Sequence, residues 1–232
     1  MKLVVWAMGL AVVWCLKACY SNAGADDLSW ILTPTCRLAG WLADIPFEWE
    51  ARTGWISHSH RMIVGPACAG VNFLIIAFAT YYFTLADRFA RPAARILWLP
   101  ASLAIAVAVT VPANALRIVV AAHLHGQDRH GGILTPERVH RGAGVVIFCA
   151  ALIVSYIVLR QVLRHRSGPR TVLAPIACYL LIALGVPLVN GAWWRDPVLF
   201  FEHAAVVAAA CAAACGAWMA WKAACGRARE CE

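Results

Sequence analysis

Charge is scarce in this chain. Only 14% of its 232 residues are charged, with 12 acids against 20 lysines and arginines, while 62% are hydrophobic. Soluble domains carry about 25% charged and about 45–50% apolar residues. A water-soluble fold of this length has no core large enough to hide that much apolar surface. Intrinsic disorder and a disulfide-stapled mini-protein are excluded by the same arithmetic. Other absences narrow the class further. The sequence has no low-complexity linker, no internal repeat and no sustained polar–apolar alternation of the kind that marks a membrane β-barrel. It also has no C-x-x-C pair, which argues against a disulfide carrier, and no H-E-x-x-H helix. What remains is an integral membrane protein made of helices.

A membrane-spanning helix needs about 20 mostly apolar residues. Six segments qualify, near 3–20, 67–86, 96–122, 140–160, 171–189 and 199–221. The expected fold is therefore all-α, a single polytopic transmembrane helical bundle over 1–232, with about 67–160 as its core. The arginines then orient it. The link 87–95 holds Arg88, Arg91 and Arg95, and the link 160–170 holds Arg160, Arg164, Arg166 and Arg170. Lys222, Arg227 and Arg229 follow the last span, whereas the alternate links are poorer in basic residues. By the positive-inside rule the basic links and both termini face the cytoplasm of a bacterial inner membrane. The net charge of +8 is thus read through its location, as a topology signal and not as a nucleic-acid footprint. The first segment, ending in Ala23-Gly24-Ala25, fits a signal peptide or a retained helix. Trp6, Trp14 and Lys17 favour the retained helix, and residue 26 onward emerges outside in either case. Between about 26 and 66, Trp30, Trp41, Trp49 and Trp55 mark an interfacial segment, expected as one or two short helices.

Ionisable and polar groups inside spans are costly, so those that occur are functional suspects. Gly65-Pro66-Ala67-Cys68-Ala69-Gly70-Val71-Asn72 opens the second span. Pro66 suits a first helical turn, which sets Cys68 near a helix N-terminus, where a thiolate is favoured, with Asn72 one turn on. The plainer reading is that most of the 10 cysteines are small apolar fillers. In the third span, Asn114 and Arg117 are spaced to share a polar face, although an arginine there also snorkels to the surface. Thr135 and Pro136 read as the cap and first residue of the fourth span. His140 then lies one turn in, with Glu137 placed to orient its ring, or else it is a structural interfacial histidine. A nucleophile, a cation for a developing oxyanion and a proton shuttle at one membrane face are what acyl transfer needs.

The blocks A-C-A-G-V-N (67–72), P-A-N-A-L-R-I-V-V (112–120) and H-R-G-A-G (140–144) resemble the exosortase/archaeosortase family of membrane cysteine transpeptidases, in family order. The short length and the A-C-A-G-V-N-F wording are most similar to the exosortase K subgroup. The resemblance covers roughly residues 60–160. It implies that Cys68 is the nucleophile, Arg117 the catalytic arginine and His140 the acid/base. It also implies exported substrates with a C-terminal motif, a transmembrane helix and a basic cluster. Cleavage outside the membrane would give a Cys68 thioester that an acceptor resolves. Neither metal nor other cofactor is expected. The expected partners are those exported proteins and membrane lipid, with no nucleic acid. The chain departs from many members in having fewer spans, and in carrying Ala69 and Pro66 where a serine and an acid often stand.

Two other readings stay open. His58, His60, His123, His125, Asp128, His130 and His140 offer ligands for a metal-dependent intramembrane hydrolase. A non-enzymatic membrane scaffold is compatible with the composition. A Cys19–Cys36 bridge is also open on the outer side. Asn72, Asn114 and Glu137 are the expected orienting groups around the three catalytic candidates.

Overall fold

The computed structural model describes residues 2–125, 136–163 and 171–230, with side chains described throughout these except at 2, 125, 136–140, 192, 222 and 224–230. It is an all-α polytopic helical fold in which five helices are long and apolar enough to cross a membrane. The chain divides into two compact units, Met1–Gly144 and Val145–Glu232.

The first unit is organised around α3 (Val71–Leu85). This helix is apolar all round, and 72% of its spanning window is buried, so neighbours cover it on every side. Phe73, Phe78, Tyr81 and Tyr82 are among its fully buried side chains. Two of its polar groups find partners on other helices. The Tyr82 hydroxyl donates to Val5 O at 2.9 Å on α1 (Lys2–Asn22). The Tyr81 carbonyl accepts from Trp98 Nε1 at 3.2 Å on α4 (Pro92–His125). Buried Thr35, Thr80 and Thr110 turn their hydroxyls back to carbonyls four residues earlier, so none of these three donors is stranded in the apolar interior. Only 11% of the α1 window is buried, so most of that helix presents side chains outward.

Residues 29–64 form one helix and a small sheet where only short helices were expected. Helix α2 (Ser29–Ala43) buries Ile31, Leu32, Thr35, Cys36 and Ala39 on one face and leaves Trp30 and Trp41 exposed on the other. It ends at Asp44, whose left-handed backbone (φ 52°) stops the helix. Strands β1 (Glu48–Glu50), β2 (Gly54–Ser57) and β3 (Met62–Val64) then make an antiparallel meander in the order β1-β2-β3. Three- and four-residue strands are too short to show a period of two, which hid them in the sequence. The extended chain leaving β3 feeds directly into Pro66–Cys68, a single 3₁₀ turn ahead of α3.

Helix α5 (Pro136–Val162) opens at Pro136, and its first residues belong to the first unit. Proline suits that position because a first-turn N–H has no helical partner to lose. In the second unit, the fifth expected span, near 171–189, is Leu173–Val189, shorter than the other five. It is α6 (Leu173–Leu180), a π turn over Leu181–Gly185, and α7 (Val186–Val189). Pro187 has no N–H for the carbonyl of Ala183 and its ring crowds that carbonyl, so the turn before it widens. Short α8 (Ala192–Arg195) leads into α9 (Pro197–Glu230), which carries the last spanning segment. Cys149 and Cys211 hydrogen-bond within this unit.

Candidate active site

Cys68 lies at the start of the second spanning segment, Pro66–Arg88, but ahead of α3. It ends the 3₁₀ turn Pro66–Cys68, and Gly70 follows in a left-handed conformation (φ 75°) before α3 begins at Val71. Glycine adopts that backbone without a Cβ penalty. A side chain at this position would also meet Asn114, 3.1 Å from its Cγ. Cys68 therefore stands just outside the α3 N-terminus, partly exposed, with its thiol free. Because the helix breaks at Gly70, Asn72 is not one helical turn from Cys68 on a shared face, as the sequence spacing had implied. Asn72 is exposed and its Oδ1 accepts from Lys17 Nζ at 3.3 Å.

Asn114 links the Pro66–Cys68 turn to Arg117. It is fully buried in α4, and its Nδ2 donates to the Cys68 carbonyl at 2.6 Å. Its Oδ1 accepts from an Arg117 terminal nitrogen at 3.4 Å. A buried amide without partners would be costly, and here both ends are engaged. The spacing of three residues puts Asn114 and Arg117 on the same side of α4. Asn114 thus orients Arg117 and the backbone of Cys68.

Arg117 is in turn held by a helix that has no side chain at the contact. A Cβ at Gly144 of α5 would lie 2.9 Å from Arg117 Nε and 3.3 Å from its Cδ. Glycine lets α5 approach the guanidinium stem at a distance any other residue would block. Residue 140 precedes residue 144 by one helical turn on α5. The side chains of His140 and Glu137 are outside the described residues, so the distance from Cys68 to His140 is likewise outside them.

Two further elements interact with the Pro66–Cys68 turn. From α1, the Tyr20 hydroxyl donates to the Pro66 carbonyl at 3.3 Å, and Tyr20 interacts electrostatically with both Cys68 and Arg117. From α2, Cys36 is buried. That burial first, and the neighbouring Cys68 second, push its thiol up to about 12. Cys19 and Cys36 both carry free thiols. Sequence reasoning missed Tyr20, Gly70 and Gly144 as parts of the site. The available signals were a polar pair, Lys17 and Tyr20, at the end of an apolar helix, and glycines inside both matched blocks.

The histidines of the metal reading are spread out where they are described. His58 faces Glu48 at 3.9 Å on the exposed sheet, His60 bonds Ser59, and His123 Nδ1 lies 2.9 Å from Val119 O. Among the described residues no three His, Cys, Asp or Glu side chains are grouped to hold a metal ion. His125, Asp128, His130 and His140 have no described side chains, so their share of that reading lies outside the structure.

A helical membrane protein that gathers a cysteine turn, a buried amide and an arginine at matching ends of its spans defines the class. The chain belongs to the transmembrane exosortase family, whose model, Transmembrane exosortase (Exosortase_EpsH), matches residues 2–157. That match takes in α1, α2, the sheet and every residue of the site. No curated protein and no solved structure matches the chain.

Proposed function

We propose that the protein is an intramembrane cysteine transpeptidase, or peptidase, that cleaves C-terminal sorting tails of exported proteins. The carrying observation is the 2.6 Å bond from Asn114 to the Cys68 carbonyl, made by the amide that also receives Arg117. It joins a nucleophile candidate and an oxyanion-binding candidate from separate spans through one buried side chain. Attack of the Cys68 thiolate on a backbone carbonyl forms a C–S bond and a negatively charged oxygen. Arg117 offers that oxygen a planar, permanently charged donor set. His140 is assigned to proton transfer, giving a proton to the departing amine as the C–N bond breaks. The resulting thioester is resolved by an acceptor nucleophile, which restores the Cys68 thiol.

In this reading the chain sits in the bacterial inner membrane with both termini in the cytoplasm and Cys68 at the outer face. Its partners are exported proteins ending in a short motif, an apolar helix and a basic cluster. The A-C-A-G-V-N-F wording puts it nearest the K subgroup of the family. Cys68→Ala tests the proposal. Processing of a tailed client should stop while the variant accumulates in the membrane at the normal level. Undiminished processing by that variant sinks the cysteine mechanism.

A further inference from the structure

The last turns of α1 reach the Pro66–Asn72 segment twice. Tyr20 Oη donates to Pro66 O and Lys17 Nζ donates to Asn72 Oδ1, each at 3.3 Å. Pro66 precedes Cys68 by two residues and Asn72 follows it by four, so the two bonds bracket the cysteine. Lys17 and Tyr20 are three residues apart and therefore neighbours on the helix surface. The ammonium lies 5.4 Å from the Tyr20 ring centroid, within cation–π range, so each side chain steadies the other.

Anchoring does not account for this arrangement. A lysine near the end of an apolar helix ordinarily extends its ammonium into water, yet this one donates to a side chain of α3. In the orientation proposed above, Lys17 lies toward the outer end of its span, where the positive-inside bias gives a lysine no advantage. Nor is α1 chiefly a packing element, since only 11% of its spanning window is buried.

We propose that Lys17 and Tyr20 are positioning residues of the active site, fixing the Pro66–Asn72 segment from both sides and placing a positive charge beside the Cys68 turn. The proposal rests on Cys68 being the nucleophile. Among the described residues, Tyr20 of α1 and Cys36 of α2 interact with this turn or with Cys68, Lys17 of α1 bonds Asn72, and Arg117 of α4 reaches the turn through Asn114. Lys17 adds a second cation to Arg117, and a nearby cation favours the thiolate over the thiol.

The test uses the full chain in phosphatidylcholine vesicles, alkylated with iodoacetamide between about pH 5 and about pH 10, with each cysteine read separately by mass spectrometry. Lys17→Met should slow Cys68 labelling at neutral pH about threefold or more. Lys17→Arg, which keeps the charge and a donor, should restore the wild-type profile. Tyr20→Phe should slow Cys68 about threefold while buried Cys36 stays unlabelled. Cys68 profiles that superimpose on wild type in Lys17→Met and Tyr20→Phe overturn the proposal. So does a loss that Lys17→Arg fails to restore, or one accompanied by labelling of Cys36, since that marks general loosening. If wild-type Cys68 labels no faster than exposed Cys15, the nucleophile assignment itself falls and takes this inference with it.

Discussion

Gly144 offers a way to separate chemistry from folding at a single residue. In a helix interior, replacing glycine with alanine stabilises by roughly 1 kcal/mol through propensity alone. Here the added Cβ would meet Arg117 Nε at 2.9 Å, so the guanidinium must move. Displacing a catalytic group by about 1 Å costs up to about a hundredfold in rate. Gly144→Ala should therefore lower client processing about tenfold or more without lowering the thermal midpoint in detergent. A variant with unchanged turnover would show that Arg117 is not held by this contact. Cys36 gives a prediction with the opposite character. With its thiol pushed up to about 12, it stays protonated at pH below that value and is a poor nucleophile. Iodoacetamide at about pH 8 should leave Cys36 unmodified in the folded chain and modify it after denaturation. Much of the site was legible at this scale because Asn114 and Arg117 violate an apolar span, and a violation stands out. Cys68 was legible only in kind. Its position off the helix depends on Gly70 taking a positive φ, which a glycine permits but does not announce.

At the scale of elements, the segment 26–66 differed most from expectation. Its tryptophans suggested an interfacial segment of short helices, but strands of three or four residues carry no usable periodicity. The exposed face of α2 gives the interfacial reading a test. Trp41 is 80% exposed and Trp30 51% exposed, whereas the face bearing Ile31 and Leu32 is buried. If that outward face meets the headgroup region, Trp41 should be quenched by lipids brominated near the headgroup and less by lipids brominated deep in the chain. Equal accessibility to aqueous acrylamide with and without lipid would contradict it. The long spans were legible for the opposite reason, since about 20 apolar residues in a row admit few other structures. The segment 171–189 met that length test and still fell short as a continuous helix. Pro187 and the π turn before it interrupt what composition presents as one run.

For the whole molecule, membership of the exosortase family and five spanning-length helices together set the frame, and the claim that matters is the chemistry of Cys68. A membrane cysteine surrounded by small residues is ordinary, and 10 cysteines in one chain dilute any single one. What distinguishes Cys68 is that α1, α2 and α4 all contribute to its surroundings, through Tyr20, Cys36 and Asn114. The most direct measurement is capture of the covalent intermediate. The full chain would be incubated in vesicles with a tailed client, quenched in acid, and the mass of the Cys68 peptide determined before and after neutral hydroxylamine. The account predicts an adduct on Cys68 corresponding to the client up to its cleavage point, released by hydroxylamine and absent from Cys68→Ala. Processing that proceeds with no Cys68 adduct, and equally well in Cys68→Ala, would contradict it.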